Sequence, residues 1–280
     1  MKLSFIVLTY NRTDALLAVL GALAAQCGPD HEVLIADDGS NSSQVDLLHQ
    51  KYPAFKCPVK HIWHPDAGFT AATARNLGAQ HAKGDYLVFL DGDCVPGASF
   101  VQAHTRLAQE NCFVNGSRVL LSERLTRQVV NQKVNLSKQS FGFWLKARLQ
   151  GDSNKLLHLL GWPYSLFRVQ TRFKWQGIRS CNMSVWRKDF VAVNGFDESF
   201  KGWGHEDADL VLRLSHSGVQ RKNGFWATEV FHLWHREQKR DNESANYSKV
   251  VERLKTKLIQ AEKGLAQLAA NTTIKVYQLQ

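Results

Sequence analysis

Three short runs constrain this chain more than anything else in it: "LSFIVLTY" (3–10), "EVLIADDGS" (32–40) and "DYLVFLDGD" (85–93). Each is apolar and rich in β-branched or aromatic residues, and the last two end in acids. A strand without polar alternation has no face to offer water, so it must be covered on both sides. "VKHIWH" (59–64) reads as a weaker strand of the same set. Helical patterns lie between them. Thr13 and Asp14 open one in which Leu16, Leu20 and Leu23 recur at i, i+4 and i+7. "TAATARNLGAQHAKG" (70–84) is another, closed by Gly84. This alternation predicts an α/β fold with a doubly wound, mainly parallel sheet. Such sheets bind ligands beyond the carboxyl ends of their strands. Here those ends carry Thr9, Asp37, Asp38, Asp91 and Asp93.

With 280 residues and 44% hydrophobic content, the chain suits one generous domain, or a domain plus an appendage. The start "MKLSFIVLTYN" turns polar at once and has no small-residue cleavage site. No stretch approaches the roughly 20 apolar residues of a membrane span. Cys27, Cys57, Cys94, Cys112 and Cys181 form no CxxC pair, which fits reduced thiols and a cytoplasmic setting.

The formal charge of +10 is concentrated in one place. Between Arg118 and Arg179 there are twelve Lys/Arg against Glu123 and Asp152, so the remainder is neutral. The stretch 118–176 loses the strand–helix rhythm and reads as a helical, basic insert carrying Phe141, Phe143, Trp144, Trp162, Phe167, Phe173 and Trp175. A local basic block points to an anionic partner or surface. Its cations interleave with Trp144, Leu145, Leu149, Leu156, Leu157, Leu160 and Trp162, as in a segment lying at an anionic membrane. A solvated helical insert has the same composition, and stacking on single-stranded nucleic acid is a third reading. "YSKVVERLKTKLIQAEKGLAQLAA" (247–270) predicts a terminal helix with Val250, Leu254, Leu258, Leu265 and Leu268 on one stripe. The chain thus divides into a main domain, 1–240, and a C-terminal helical extension, 241–280.

Several side chains carry chemistry. On an extended chain Asp91 and Asp93 share one side, and two hard oxygen donors suit Mg²⁺ or Mn²⁺ held with substrate phosphates. A plain Asp/Gly turn would use the same residues. Adjacent Asp37 and Asp38 point to different sides, so one faces the ligand. Arg75 lies inside a helix, where a solvated arginine is the default and a contact to a nucleotide diphosphate the alternative. In "VFHLWHRE", His232 and His235 face opposite sides of a straight strand, so only one can join a metal site begun at the DGD. Packing among Phe231 and Trp234 is the other reading of either ring. In "GWGHEDADL" (202–210), Glu206, Asp207 and Asp209 crowd the first turn of a helix, where free N–H groups favour acids. Capping accounts for one or two of them.

Taken in order, "FIVLTYNR", "EVLIADDGS", "ATARNLGA", "YLVFLDGDC", "CNMSVWRKDFVAVNGFDESF" and "GWGHEDADL" resemble a family 2 inverting glycosyltransferase of GT-A fold. The second half is similar to the galactosyltransferase carboxy-terminal motif and to bacterial chondroitin-type polymerases and lipopolysaccharide glycosyltransferases. The resemblance covers roughly 2–117 and 177–240 and implies a Rossmann-like GT-A domain. It implies that Thr9, Tyr10, Asn11 and Asp38 hold the uridine of a UDP-hexose or UDP-N-acetylhexosamine, with Arg75 near the nucleotide. Asp91 and Asp93 become the Mn²⁺ or Mg²⁺ motif, Asp93 the direct ligand and His232 the late one. Glu206 and Asp207 become the catalytic pair, with Asp207 as base. Asn182 and Met183 would border the donor sugar, and Trp203 the acceptor.

The reaction so implied moves a sugar onto a saccharide or lipid-linked glycan of a bacterial surface polysaccharide or lipopolysaccharide. The enzyme would be cytoplasmic, peripheral at the inner face of the plasma membrane, with no nucleic acid as partner. The segment 118–176 matches no motif of the family. A sugar-1-phosphate nucleotidyltransferase would also use a metal and an α/β sheet but leaves Glu206 and Asp207 unexplained. A nucleic-acid-binding module would rest on the basic insert alone.

Overall fold

The computed structural model describes residues 1–156, 161, 166–170, 172–236, 242–268 and 273–280. The constraining runs are its central strands. β1 (Leu3–Thr9), β2 (His31–Asp37), β3 (Val59–Trp63) and β4 (Tyr86–Asp91) lie parallel in the order β3-β2-β1-β4. α1 (Thr13–Ala24), α2 (Ser42–Lys51) and α3 (Ala71–His81) connect them. Phe5, Val7, Val33, Ile35, Val88 and Leu90 join Leu16, Leu20 and Leu23 of α1 in one core cluster. Ile6, Leu34, Leu87 and Phe89 join Ala74 and Leu77 of α3 in the other. Successive residues of one strand thus feed two layers, which is why the runs show no polar alternation.

Downstream the sheet becomes mixed. β5 (Cys94–Pro96), α4 (Phe100–Leu107), β6 (Cys112–Asn115), β7 (Ser117–Leu120), α5 (Glu123–Val130) and α6 (Phe141–Leu149) precede the short β8 (Val169–Gln170). β9 (Asn182–Trp186), α7 (Arg187–Ala192), α8 (Glu206–His216), β10 (Gln220–Asn223), β11 (Glu229–His232), α9 (Glu243–Thr256) and β12 (Lys275–Gln278) follow. The nine-stranded order is β12-β3-β2-β1-β4-β9-β6-β10-β8, with β8, β9 and β12 running against the other six. A second sheet, β5-β11-β7, sets His232 of β11 opposite Cys94, the residue after Asp93. Strand order reverses where β1 meets β4, and Leu8 stands in register with Asp91 there. That is the crevice position for ligands in an open α/β sheet.

The helix predicted over 247–270 is corrected by the structure. α9 runs from Glu243 to Thr256 and stops at Lys257, whose φ is 52°. Beyond it the backbone finds other partners: the amides of Ala261 and Leu265 donate to the carbonyls of Val193 and Asn194. A Cβ on Gly264 would meet the Asn194 carbonyl oxygen, so the chain presses against that loop instead of coiling onward. The extension ends in a strand, β12, paired antiparallel with β3. The boundary expected at 240/241 lies outside the described residues, as do Leu157, Leu160 and Trp162 of the basic insert.

Within the insert, α5 and α6 supply the expected helices. Trp144 of α6 is buried and stacks on Phe231 of β11 at 4.6 Å, so it is not presented for stacking on a base. Phe141, Leu145 and Leu149, on other positions of α6, are exposed. All five cysteines are free and buried, and the Cys94 thiol donates to Asp93 Oδ1 at 3.5 Å. Among the described residues no helix is long and apolar enough to cross a membrane.

Candidate active site

The acids at the strand ends play distinct parts. β4 stops at Asp91, and the Gly92 amide donates to the Leu8 carbonyl at 2.7 Å, which turns the chain sharply. A side chain at Gly92 would press on that same carbonyl and on Thr9. Because of this turn, the extended-chain expectation that Asp91 and Asp93 act as one face is not what the structure holds. Asp91 meets Arg75 at 2.8 Å, while Asp93 turns to the histidines of the returning strand.

Arg75 is buried rather than solvated. Its Nη2 donates to Asp91 and its Nη1 to Glu206 at 3.3 Å, and its guanidinium lies over the Phe196 ring. Burial alone would lower its pKa; Asp91 and Glu206 more than offset that and raise it. The DGD turn and the Glu-Asp pair, far apart in the chain, are therefore joined through one cation.

The Glu-Asp pair begins α8. The turn before it needs unusual backbone: Gly202, Gly204 and His205 have φ of 69°, 105° and 71°. Only glycine adopts such angles freely, and a Cβ on Gly202 would also strike Asn242. Asn246 of α9 clamps the turn by donating to the carbonyls of Lys201 and Gly204. Asp207 accepts from the amides of Ser180 at 3.2 Å and Ala208 at 2.7 Å. Burial, with the charge of Glu206 beside it, pushes its carboxyl up to about 7. Asp209 differs again: it is fully buried between Arg213 and Arg253 and ties α8 to α9. Trp203, expected near the acceptor, is half-buried in the same turn.

Asp93 lies 3.8 Å from His232 Nε2 and 3.3 Å from His235 Nε2. The expectation that the two rings face opposite sides is corrected, because β11 ends at His232 and the alternation of a straight strand ends with it. Their ring centroids are 5.1 Å apart. One atom each of Asp93, Cys94 and His232 lies within 4.8 Å of the others. Burial raises the Cys94 thiol, which keeps its proton, and burial lowers His232, which keeps a neutral ring with a free lone pair. A carboxylate oxygen and an imidazole nitrogen remain, a donor set that fits Mn²⁺ better than Mg²⁺, which prefers oxygen alone.

At the ends of β1 and β2 the expected nucleotide residues gather. Asp38 is buried; it accepts from the Thr70 amide at 3.0 Å and hydroxyl at 2.5 Å and pairs with His64 at 3.2 Å. Burial works against a charged His64, but Asp38 outweighs it and the ring's pKa rises. Asp37 turns away to His61 at 2.9 Å, which bonds onward to His49. Tyr10 is exposed and donates to Asp66 at 2.9 Å; that bond raises its pKa. The Asn11 amide donates to Ser40 Oγ, and Asn11 Oδ1 accepts from the Asn41 amide. Thr9 is buried, and its carbonyl accepts from the Asp38 amide.

Asn182 is buried with its side chain fully engaged: Nδ2 donates to the carbonyls of Ser117 and Thr228, and Oδ1 faces His104 at 3.2 Å. Burial pushes His104 down to about 3, so it is a neutral partner. Met183, expected beside the donor sugar, sits in the core cluster beneath β9, since it faces the opposite side of the strand from Asn182. His64, Asp66, Thr70, Asn246 and Arg253 carry no mark in the sequence that singles them out. The first three follow a weak strand, and the other two belong to a helix whose periodicity shows only which face is apolar.

The chain matches the model described as glycosyl transferase family 2 over residues 4–178, and that described as the N-terminal domain of galactosyltransferase over 165–240. It is 31% identical over 228 residues to validoxylamine A glucosyltransferase of Streptomyces hygroscopicus subsp. jinggangensis, covering 78% of this chain and 52% of that one. It is 26% identical over 239 residues to chondroitin synthase of Escherichia coli, covering 77% and 32%. The chain thus spans about half of the first relative and about a third of the second. Among solved structures, S. aureus TarS 1-349 in complex with UDP-GlcNAc aligns with a TM-score of 0.61 at 15% identity, over 96% of this chain and 69% of that one. The mannosyltransferase PcManGT from Pyrobaculum calidifontis, in complex with GDP-Man and Mn²⁺, aligns with a TM-score of 0.55 at 16% identity, over 90% and 64%. These two likenesses establish the GT-A type of fold.

Proposed function

The chain belongs to glycosyltransferase family 2, and from that premise we propose that it moves a sugar from a nucleotide sugar to a saccharide hydroxyl with inversion, aided by Mn²⁺ or Mg²⁺. The donor is a UDP-hexose or UDP-N-acetylhexosamine, and the product belongs to a bacterial surface glycan, a polysaccharide or lipopolysaccharide. The observation that carries this reading is the Arg75 bridge. It joins Asp91, beside the metal-binding residue, to Glu206, beside the base, so donor and acceptor chemistry share one site.

Asp207 acts as the general base. Its carboxylate takes the proton of the acceptor hydroxyl as that oxygen bonds to the anomeric carbon. The bond from this carbon to the diphosphate oxygen breaks on the opposite face, which gives inversion. Asp93 and His232 would hold a divalent cation, which would supply Lewis acidity toward the departing diphosphate. A nucleotide leaving group needs no acid partner of the kind glycosidases use, so a single proton-accepting carboxylate suffices. Glu206 serves differently, pairing with Arg75 while its charge raises the proton affinity of Asp207. Asp38 with Tyr10, Asn11 and Thr9 receives the nucleoside at the ends of β1 and β2.

The test is release of UDP or GDP from a panel of nucleotide sugars with saccharide acceptors and Mn²⁺. Asp207→Asn keeps shape but loses basicity, and is expected to slow transfer by roughly 10²–10⁴ while UDP affinity is retained. Wild-type turnover in that variant, with Glu206→Gln inactive, assigns the base to Glu206 instead. Full activity in EDTA removes the metal from the scheme.

We further assign the exposed face of α6 to an anionic membrane or lipid-linked acceptor at the cytoplasmic leaflet. Phe141, Leu145 and Leu149 recur at i, i+4 and i+8 there, with Lys146 and Arg148 among them.

A further inference from the structure

The basic block is not spread evenly over a surface. Three of its cations, Arg118, Lys155 and Arg179, meet Arg221 of β10 around a cavity of about 230 Å³. None of the described residues lining that cavity is an acid. Arg118 and Arg221 each also keep one Nε–H buried without a hydrogen-bond partner among the described residues. Arg221 is held in place by the carbonyls of Lys174 and Gln176, at 2.8 Å and 3.4 Å, and Lys155 Nζ donates to Ser117 Oγ at 2.9 Å. These partners are neutral. Burial lowers the pKa of Arg221, and no carboxylate among the described residues compensates. Arg118 and Arg221 are half-buried, and Lys155 and Arg179 are exposed. Four cations gathered at one cavity with no acid among its described lining residues repel one another until an oxyanion sits between them.

The cavity's place in the fold says whose oxyanion this is. One of its walls is the segment 179–182. In that segment the Ser180 amide donates to Asp207, and the Cys181 carbonyl accepts from the Asp91 amide at 3.4 Å. Asp207 and the end of β4 thus touch the same segment that walls the cavity. The nucleoside end of the site lies at β1 and β2, whereas the cavity lies beyond β9, at β6 and β10. Asn182, expected to border the donor sugar, is among the lining residues, so a group seated there adjoins the reacting sugar on the side away from the nucleoside.

We propose that the cavity walled by Arg118, Lys155, Arg179 and Arg221 is a subsite for an anionic substituent, a carboxylate or a phosphate, carried by the acceptor saccharide. The assignment to an acceptor rests on the glycosyl-transfer reading above. The presence of an oxyanion subsite does not.

Direct binding separates the two. Glucuronic acid, glucose 6-phosphate and glucose are titrated into the full chain with UDP and Mn²⁺ present, and binding is read by NMR shifts. Both anionic sugars are expected to bind about ten-fold or more tightly than glucose, with an affinity that falls as salt rises. Arg118→Gln and Arg221→Gln are each expected to weaken the anionic sugars about ten-fold and leave glucose and UDP unaffected. Arg118→Lys keeps the charge, and retained binding there shows that the Gln variant lost charge and not its fold. Equal binding of glucose and its anionic relatives, or unchanged binding in both Gln variants, overturns the proposal. Two further outcomes also overturn it. One is a defect confined to UDP-glucuronate, which moves the anion to the donor. The other is a defect confined to anionic vesicles, which moves it to the membrane. If the wild-type chain releases UDP from no nucleotide sugar while the anionic sugars still bind, the transfer reading fails and the subsite stands.

Discussion

Glu206, Asp207 and Asp209 look alike in the sequence and differ entirely in the folded chain. Glu206 meets Arg75, Asp207 stands half-buried with a raised carboxyl, and Asp209 is locked between two arginines. Their surroundings, not their identity, assign the chemistry. Asp207 must be ionised to accept a proton, so its elevation to about 7 sets the acid limb of activity. kcat/KM is expected to rise with pH through a midpoint near that value. Glu206→Gln removes the neighbouring negative charge and is expected to move the midpoint to lower pH. A midpoint unmoved in that variant would discard the coupling. The sign for stability is the reverse of the sign for activity. The folded carboxyl holds its proton more tightly than an unfolded one of pKa about 3.9, so its contribution is fully present below that pH. That contribution is lost as pH rises through about 7. Arg75 is the least legible residue of the site, because helical spacing tells which positions share a face but not how deep a cation sinks beneath acids from other elements.

Elements show where local pattern suffices and where it fails. β1, β2 and β4 are readable because an unbroken apolar run has one solution, a strand covered on both faces. The end of β11 is not, since nothing in "VFHLWHRE" marks where pairing with β5 and β7 stops. Pairing stops at His232, and that one boundary brings His235 beside Asp93. Both rings then become available to a cation. Isothermal titration of Mn²⁺ is expected to show weaker binding by about ten-fold or more in His232→Ala, and a smaller loss in His235→Ala. The opposite ranking would hand the ligand role to His235. α9 is a similar case. Its apolar stripe is visible in the sequence. Its use of Asn246 on the Gly-Trp-Gly turn and of Arg253 on Asp197 and Asp209 depends on contacts that only the assembled fold creates.

Across the whole molecule, charge and apolar surface divide the basic insert into two parts. Arg118, Lys155 and Arg179 gather at the rim of the cavity, while α6 turns Phe141, Leu145 and Leu149 outward beside Lys146 and Arg148. A basic residue near an anionic leaflet contributes about 1 kcal/mol, so the two here need the apolar stripe to hold the chain there. Co-sedimentation with phosphatidylglycerol vesicles is expected at low salt and reduced at high salt. Lys146→Glu combined with Leu149→Ser is expected to abolish it. Binding that is absent at low salt, or indifferent to that double change, would refute attachment through α6. The sheet itself carries a consequence for self-association. Without β12 its margin would be β3, with buried Val59, His61 and Ile62 and a row of unpaired amides and carbonyls. β12 takes that position and presents exposed Lys275 at the outside, while the opposite margin, β8, is two residues long. A four-residue strand carrying a lysine at one border and a two-residue strand at the other leave a neighbouring copy only short edges on which to extend the sheet.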